Sequence, residues 1–143
     1  DEENDTGLPR TLVFNVAIPV SAPSLIGGSD DSKCYQLILY FRASVKDLRA
    51  WRDGGSAAYA LFRRWVKEAP EGNNDVKERF KLVVKMENLK DLGKTGSTLE
   101  QYNGKPVLIT KSGSIFPSLD DVYGPLGYLE LGINTFRFAY LTK

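Results

Sequence analysis

The apolar positions change period along the chain, and each change marks an element. In TLVFNVAIPV (11–20), Leu12, Phe14, Val16 and Ile18 alternate with Thr11, Val13, Asn15 and Ala17. That is the period of a half-buried strand, closed by Pro19, which cannot donate to a ladder. CYQLILYFR (34–42) is apolar on both faces and predicts a second, central strand, antiparallel to the first. The period then lengthens. Ser44, with Asp47 three residues on, predicts a helix start. Val45, Leu48 and Trp51 share one face until Gly54 and Gly55 interrupt. Ala58, Leu61, Phe62, Trp65, Val66 and Ala69 recur at helical spacing until Pro70 and Gly72. The pair predicts a helical hairpin or kinked helix laid on the sheet.

RFKLV (79–83) fits two periods. A helix would leave Leu82 among the charges, whereas a strand over residues 79–86 groups Phe80, Leu82, Val84 and Met86 opposite Arg79, Lys81, Val83 and Lys85. The strict alternation favours the strand. Asn103–Gly104 is a turn signal before KPVLITK (105–111), another strand. In the last one (127–141), Leu129, Leu131 and Ile133 face one way, then Phe136, Phe138 and Tyr140 the other, with Gly132 able to host a bulge. The sum is an α+β fold, an antiparallel sheet of about five strands against helices. Residues 1–9, acidic and polar, read as a flexible lead-in, and 10–143 as a single domain.

Composition narrows the chemistry. With 42% apolar and 26% charged residues, the 143-residue chain falls in the ordinary globular range. A net charge of +1 speaks against a domain-wide grip on nucleic acid. There is no histidine, which removes the commonest general base and metal ligand. Cys34 stands alone, so no intrachain disulfide or zinc framework is expected, and the compartment stays open. No run approaches the ~18 apolar residues of a membrane-spanning helix. The opening DEENDTG carries no signal-peptide pattern; it lacks an initiating Met, so an earlier targeting segment stays open.

The carboxylate pairs Asp30–Asp31 and Asp120–Asp121 lie in loop sequence, where solvated turn residues are the commoner outcome. GGSDDSK (27–33) and GKTGS (93–97) lack the spacing of a phosphate-binding loop. No cofactor, metal or catalytic residue is expected. The basic residues remain. Arg63, Arg64 and Lys67 cluster on the polar face of the second helix, and Arg79, Lys81 and Lys85 form a row on one strand face. Lys90, Lys94, Lys105 and Lys111 are scattered beyond. If the two groups converge they make a local site for an anionic headgroup; the plainer reading is two solvated surfaces. Trp51, Phe62 and Trp65 are candidates for hydrophobic contact, the last two at core spacing.

LVFNVAIP (12–19), YQLILYF (35–41), RFKLV (79–83), NGKPVLI (103–109) and YLELGI (128–133) occur in an order that resembles the C-terminal domain of the plant enhanced disease resistance protein family. The resemblance spans roughly residues 10–135. It implies a regulatory, membrane-associated, non-enzymatic domain of the kind carried behind pleckstrin-homology and START lipid-binding modules. It also implies that RFKLV is a core strand entered from a turn, with Arg79 and Lys81 exposed. Residues 44–60 and 114–125 are longer than that pattern. The family's upstream strands and apolar C-terminal helix are not seen, so the chain reads as the central part of a longer domain. The leading expectation is a binding module for a lipid or membrane surface, or for a membrane-bound protein, at the cytoplasmic periphery of a membrane. The alternatives are a structural subunit of a large, even organellar, assembly, joined through exposed strand edges, and a small-ligand carrier.

Overall fold

The computed structural model describes residues 3–19, 33–85, 87–92, 100, 103–110, 112–118 and 127–135. Two long strands open it: β1 (Thr11–Pro19) and β2 (Cys34–Arg42), antiparallel over nine consecutive pairs from Thr11↔Arg42 to Pro19↔Cys34. Helix α1 (Val45–Asp53) follows. The Ser44 hydroxyl accepts from the Asp47 amide at 3.0 Å and donates to its carboxylate at 2.6 Å, so Asp47 does serve the cap. Gly55, at φ +63°, supplies the left-handed turn into α2 (Ala57–Glu68). That helix is capped by Ser56, whose hydroxyl accepts from the Tyr59 amide. Two successive helices separated at Gly54–Gly55 stand where the sequence predicts a helical hairpin or kinked helix.

Its buried face is rotated from the expected stripe. Trp65, Val66 and Ala69 are buried and Phe62 half-buried, but Ala58 and Leu61 are exposed and Tyr59 is buried in their place. The cause is a tertiary contact: the Tyr59 hydroxyl donates to the Thr6 carbonyl, so the ring can leave water without stranding its polar tip.

Both periods in the RFKLV region are used in succession. Asn73 caps the short helix α3 (Asn74–Lys77), and a turn then leads into β3 (Lys81–Val83). The strand is therefore shorter than residues 79–86. Among the described residues it pairs with β4 (Pro106–Leu108) alone, as a separate two-stranded sheet. A 3₁₀ turn covers Leu89–Leu92.

The main sheet has four strands in the order β2-β1-β6-β5, with β5 at Gly113–Pro117 and β6 at Tyr128–Asn134. Three corrections follow. The sheet is mixed: β1 and β6 run parallel, from Thr11↔Tyr128 to Ala17↔Asn134, while the other neighbours are antiparallel. Alternation reports which way side chains point but carries no strand direction. Second, among the described residues β2 is an edge strand with all nine residues exposed, not a central one. Third, Gly132 sits in unbroken register with Asn15 and Ser114, without a bulge. β5, within the stretch read as an insertion, forms the other edge. Residues 136–141, expected to extend the last strand, lie outside the described residues.

The core lies between one face of this sheet and the helices. Leu129 and Leu131 join Leu48, Tyr59, Trp65, Val66, Ala69, Val76 and Ile109, with Leu12, Phe14, Phe80 and Ile115 packed against them. Residues 3–9, read from the sequence as a flexible lead-in, lie against the helices here. Leu8 is 0% exposed. The Asp5 carboxylate accepts from Arg49 at 2.8 Å and Arg52 at 3.0 Å.

Candidate functional site

Three surfaces carry chemistry. The first is a shallow hollow of about 260 Å³ on the sheet face away from the helices. Register places it: Asn15 of β1 lies beside Gly132 of β6, which lies beside Ser114 of β5. Asn15 Nδ2 donates to Glu130 Oε1 at 3.1 Å, and Gly132 contributes no side chain to the floor. Glu130 is the one acid among the residues lining it. The hollow offers neutral hydrogen-bonding groups around a single carboxylate already engaged by an amide. Periodicity does not reveal it, because it needs polar residues from three strands distant in sequence.

The second surface is the outer face of the small sheet. Residues opposite each other in an antiparallel pair share a face. Lys81 lies opposite Leu108 and Val83 opposite Pro106, all exposed, while Leu82 and Val107 are half-buried on the other side. Arg79 and Lys85 flank β3 and Lys105 precedes β4 along the chain, and all three are exposed. Lys85 stands 3.8 Å from Glu87, a pair too open to water to neutralise it firmly. Of the expected Arg79–Lys81–Lys85 row only Lys81 lies within β3; Leu108 was not legible in the sequence, since pairing brings it there.

The second basic group is more committed. Arg64 Nε donates to Glu68 Oε1 at 2.9 Å within α2, and this hydrogen bond raises its pKa further. Arg63 lies against Gly7: a β-carbon at that glycine would stand 2.8 Å from Arg63 Nε. Lys67 is exposed. The carboxylate pairs Asp30–Asp31 and Asp120–Asp121, the GGSDDSK and GKTGS stretches before Lys33 and at 93–97, Lys94 and Lys111 lie outside the described residues.

The third surface begins with the aromatic candidates. Trp51, Phe62 and Trp65 do come together, in a line of ring contacts: Trp51 on Phe62 at 5.9 Å, Phe62 on Trp65 at 6.2 Å, Trp65 on Phe80 at 5.4 Å. The line continues through Phe14 at 6.0 Å to Phe41 at 5.4 Å. Trp65 is 3% exposed and serves the core. Trp51 is partly exposed, its indole N–H donating to Ser56 at 3.1 Å. At its other end the line surfaces at Phe41, on β2.

Fold and surfaces together define an α+β domain with helices on one side of a mixed sheet, and with basic, apolar and polar faces displayed outward. No curated protein and no solved structure matches the chain. The description Protein ENHANCED DISEASE RESISTANCE 2, C-terminal, belongs to the family model that it does match, over residues 1–143, and the chain belongs to that family. Among the described residues no helix is long and apolar enough to cross a membrane, and no group of three or more potential metal ligands occurs.

Proposed function

We propose that this chain is a non-enzymatic binding domain that docks on an anionic membrane surface through the outer face of β3 and β4. The observation that carries the reading is the mixed character of that face. Lys81 shares that face with exposed Val83 and Leu108, and the exposed Arg79, Lys85 and Lys105 adjoin the two strands along the chain. Basic side chains near an anionic leaflet contribute about 1 kcal/mol each, and apolar ones enter the headgroup boundary, so the combination suits a lipid interface better than free solution. A net charge of +1 makes the attraction local rather than global. Arg63, Arg64 and Lys67 contribute less in this reading, because Arg64 is bonded to Glu68. The non-enzymatic part is supported by the polar hollow, where one engaged carboxylate stands without a second acid among the described lining residues.

Flotation with phosphatidylcholine vesicles, with and without phosphatidylserine, tests this. The wild type is expected to float only with the anionic lipid. K81E/K85E, checked by circular dichroism for retained fold, is expected to stay in the pellet fraction, and R63E/R64E to float nearly as the wild type does. Unchanged flotation of folded K81E/K85E refutes the assignment.

A further inference from the structure

A nine-residue edge strand in a soluble fold is ordinarily blunted by charge, proline or a bulge, since its outward N–H and C=O groups template pairing with another chain. β5, at the far edge, is short and ends at Pro117. β2 is long and unbulged against β1, and Arg42, at its very end, is its one charged residue. Both of its faces display large apolar side chains: Tyr35 is 69% exposed, Leu37 46%, Ile38 42%, Leu39 41%, Tyr40 70% and Phe41 55%. Together these expose roughly 600 Å² of side-chain surface over the two faces, of which an edge-to-edge ladder covers the part flanking it, the scale of a weak, concentration-dependent interface.

From these features we infer that β2 is a dimerisation strand. Two copies of the chain pair their β2 edges antiparallel about a two-fold axis at Ile38, joining two four-stranded sheets into one. The register is self-complementary. Centred on Ile38, it is the alignment that pairs all nine residues, setting Leu37 opposite Leu39, Tyr35 opposite Phe41, Gln36 opposite Tyr40 and Cys34 opposite Arg42. Each opposed pair lies on one face, as antiparallel geometry demands. The two copies of Arg42 fall at opposite ends of the ladder, about 27 Å apart and beyond the Debye length. A two-fold pairing also closes on itself, whereas β2 on β5 would propagate. The inference goes beyond the membrane reading and does not depend on it.

Sedimentation velocity of the full chain at micromolar concentrations should give a dimer, and Ile38→Lys, which opposes two lysines at the axis, a monomer. Register is read by disulfides. In a Cys34→Ser background, Ile38→Cys should cross-link with itself under mild oxidation. Gln36→Cys should not, but should cross-link when mixed with Tyr40→Cys. If Ile38→Lys fails to fold by circular dichroism, the cross-linking pattern decides. A wild type that stays monomeric at about 100 μM, open-ended polymers, or equal self-cross-linking of Gln36→Cys and Ile38→Cys overturns the inference. A monomer would leave the edge to a strand of another protein. Flotation of Ile38→Lys reads the membrane surface separately.

Discussion

β2 and β6 are both apolar strands of one sheet, and the more apolar of them is the one left in water. β6 interrupts its pattern with Glu130, Gly132 and Asn134, yet Leu129, Leu131 and Ile133 are each at most 2% exposed. β2 carries an unbroken LILYF run and buries none of it. Neighbours account for the difference. β6 has β1 on one side, β5 on the other, and its leucines belong to the cluster built around Trp65 and Val66. Among the described residues β2 has β1 alone, with Phe41 meeting Phe14 edge-on as its link to the aromatic line. Burial is decided by what packs alongside a strand, and hydrophobicity is only its precondition.

That contrast can be broken most directly by trimming one leucine in each strand. Leu131→Ala is expected to cost about 2–5 kcal/mol in urea unfolding, the range for a fully buried leucine. Leu39→Ala, measured dilute enough to exclude pairing, is expected to cost about 1 kcal/mol or less. Equal losses would mean that β2 is covered in solution. Gly113→Ala probes the tight end of the buried region. Its β-carbon would stand 2.7 Å from Ile109 Cβ and 2.8 Å from Ile109 O, so overpacking of about 1–3 kcal/mol is expected from the same measurement. A neutral result would show that the β4–β5 corner yields readily.

Smaller effects sharpen the picture on the helix side. Ser56→Ala removes an acceptor for both the Tyr59 amide and the Trp51 indole, each at 3.1 Å, and is expected to cost about 1 kcal/mol. It should also shift Trp51 fluorescence, which a simple loss of helix propensity would leave in place. Asp5 gives the smallest effect, visible only in acid. Hydrogen bonds from Arg49, then Arg52, hold its carboxyl at about 2, below the ordinary 3.8. The unfolded chain therefore binds this proton more readily. The stabilisation is complete above about pH 4 and is lost as pH falls toward 2. Asp5→Asn should flatten that part of the Tm-versus-pH curve; an unchanged slope would mean that the N-terminal contact contributes nothing to stability.

Several elements were legible in the chain. The cap at Ser44, the double-glycine break, the extent of β1 and the Leu129–Leu131–Ile133 row stand as periodicity indicated, because each depends on residues close in sequence. The family motifs were legible for the same reason. The places where reading ran out are specific. Tyr59 displaced Ala58 and Leu61 from the buried face because a carbonyl more than fifty residues earlier accepts its hydroxyl. RFKLV mixed two periods because a helical turn and a strand meet at Phe80, which packs on both Trp65 and Phe14. The basic residues could be seen, but not the Leu108 that shares a face with Lys81.

The linear order of residues determined where β1, β2, α1 and α2 fall, which side chains alternate in them, and that histidine is absent, since all of these are set by covalent neighbours or by composition. Tertiary structure alone decided that β1 runs parallel to β6, that β2 lies at the edge, and that β3 and β4 form a sheet of their own. Strand pairing joins groups far apart along the chain, and the alternation of side chains is the same whichever neighbour, direction or edge a strand receives.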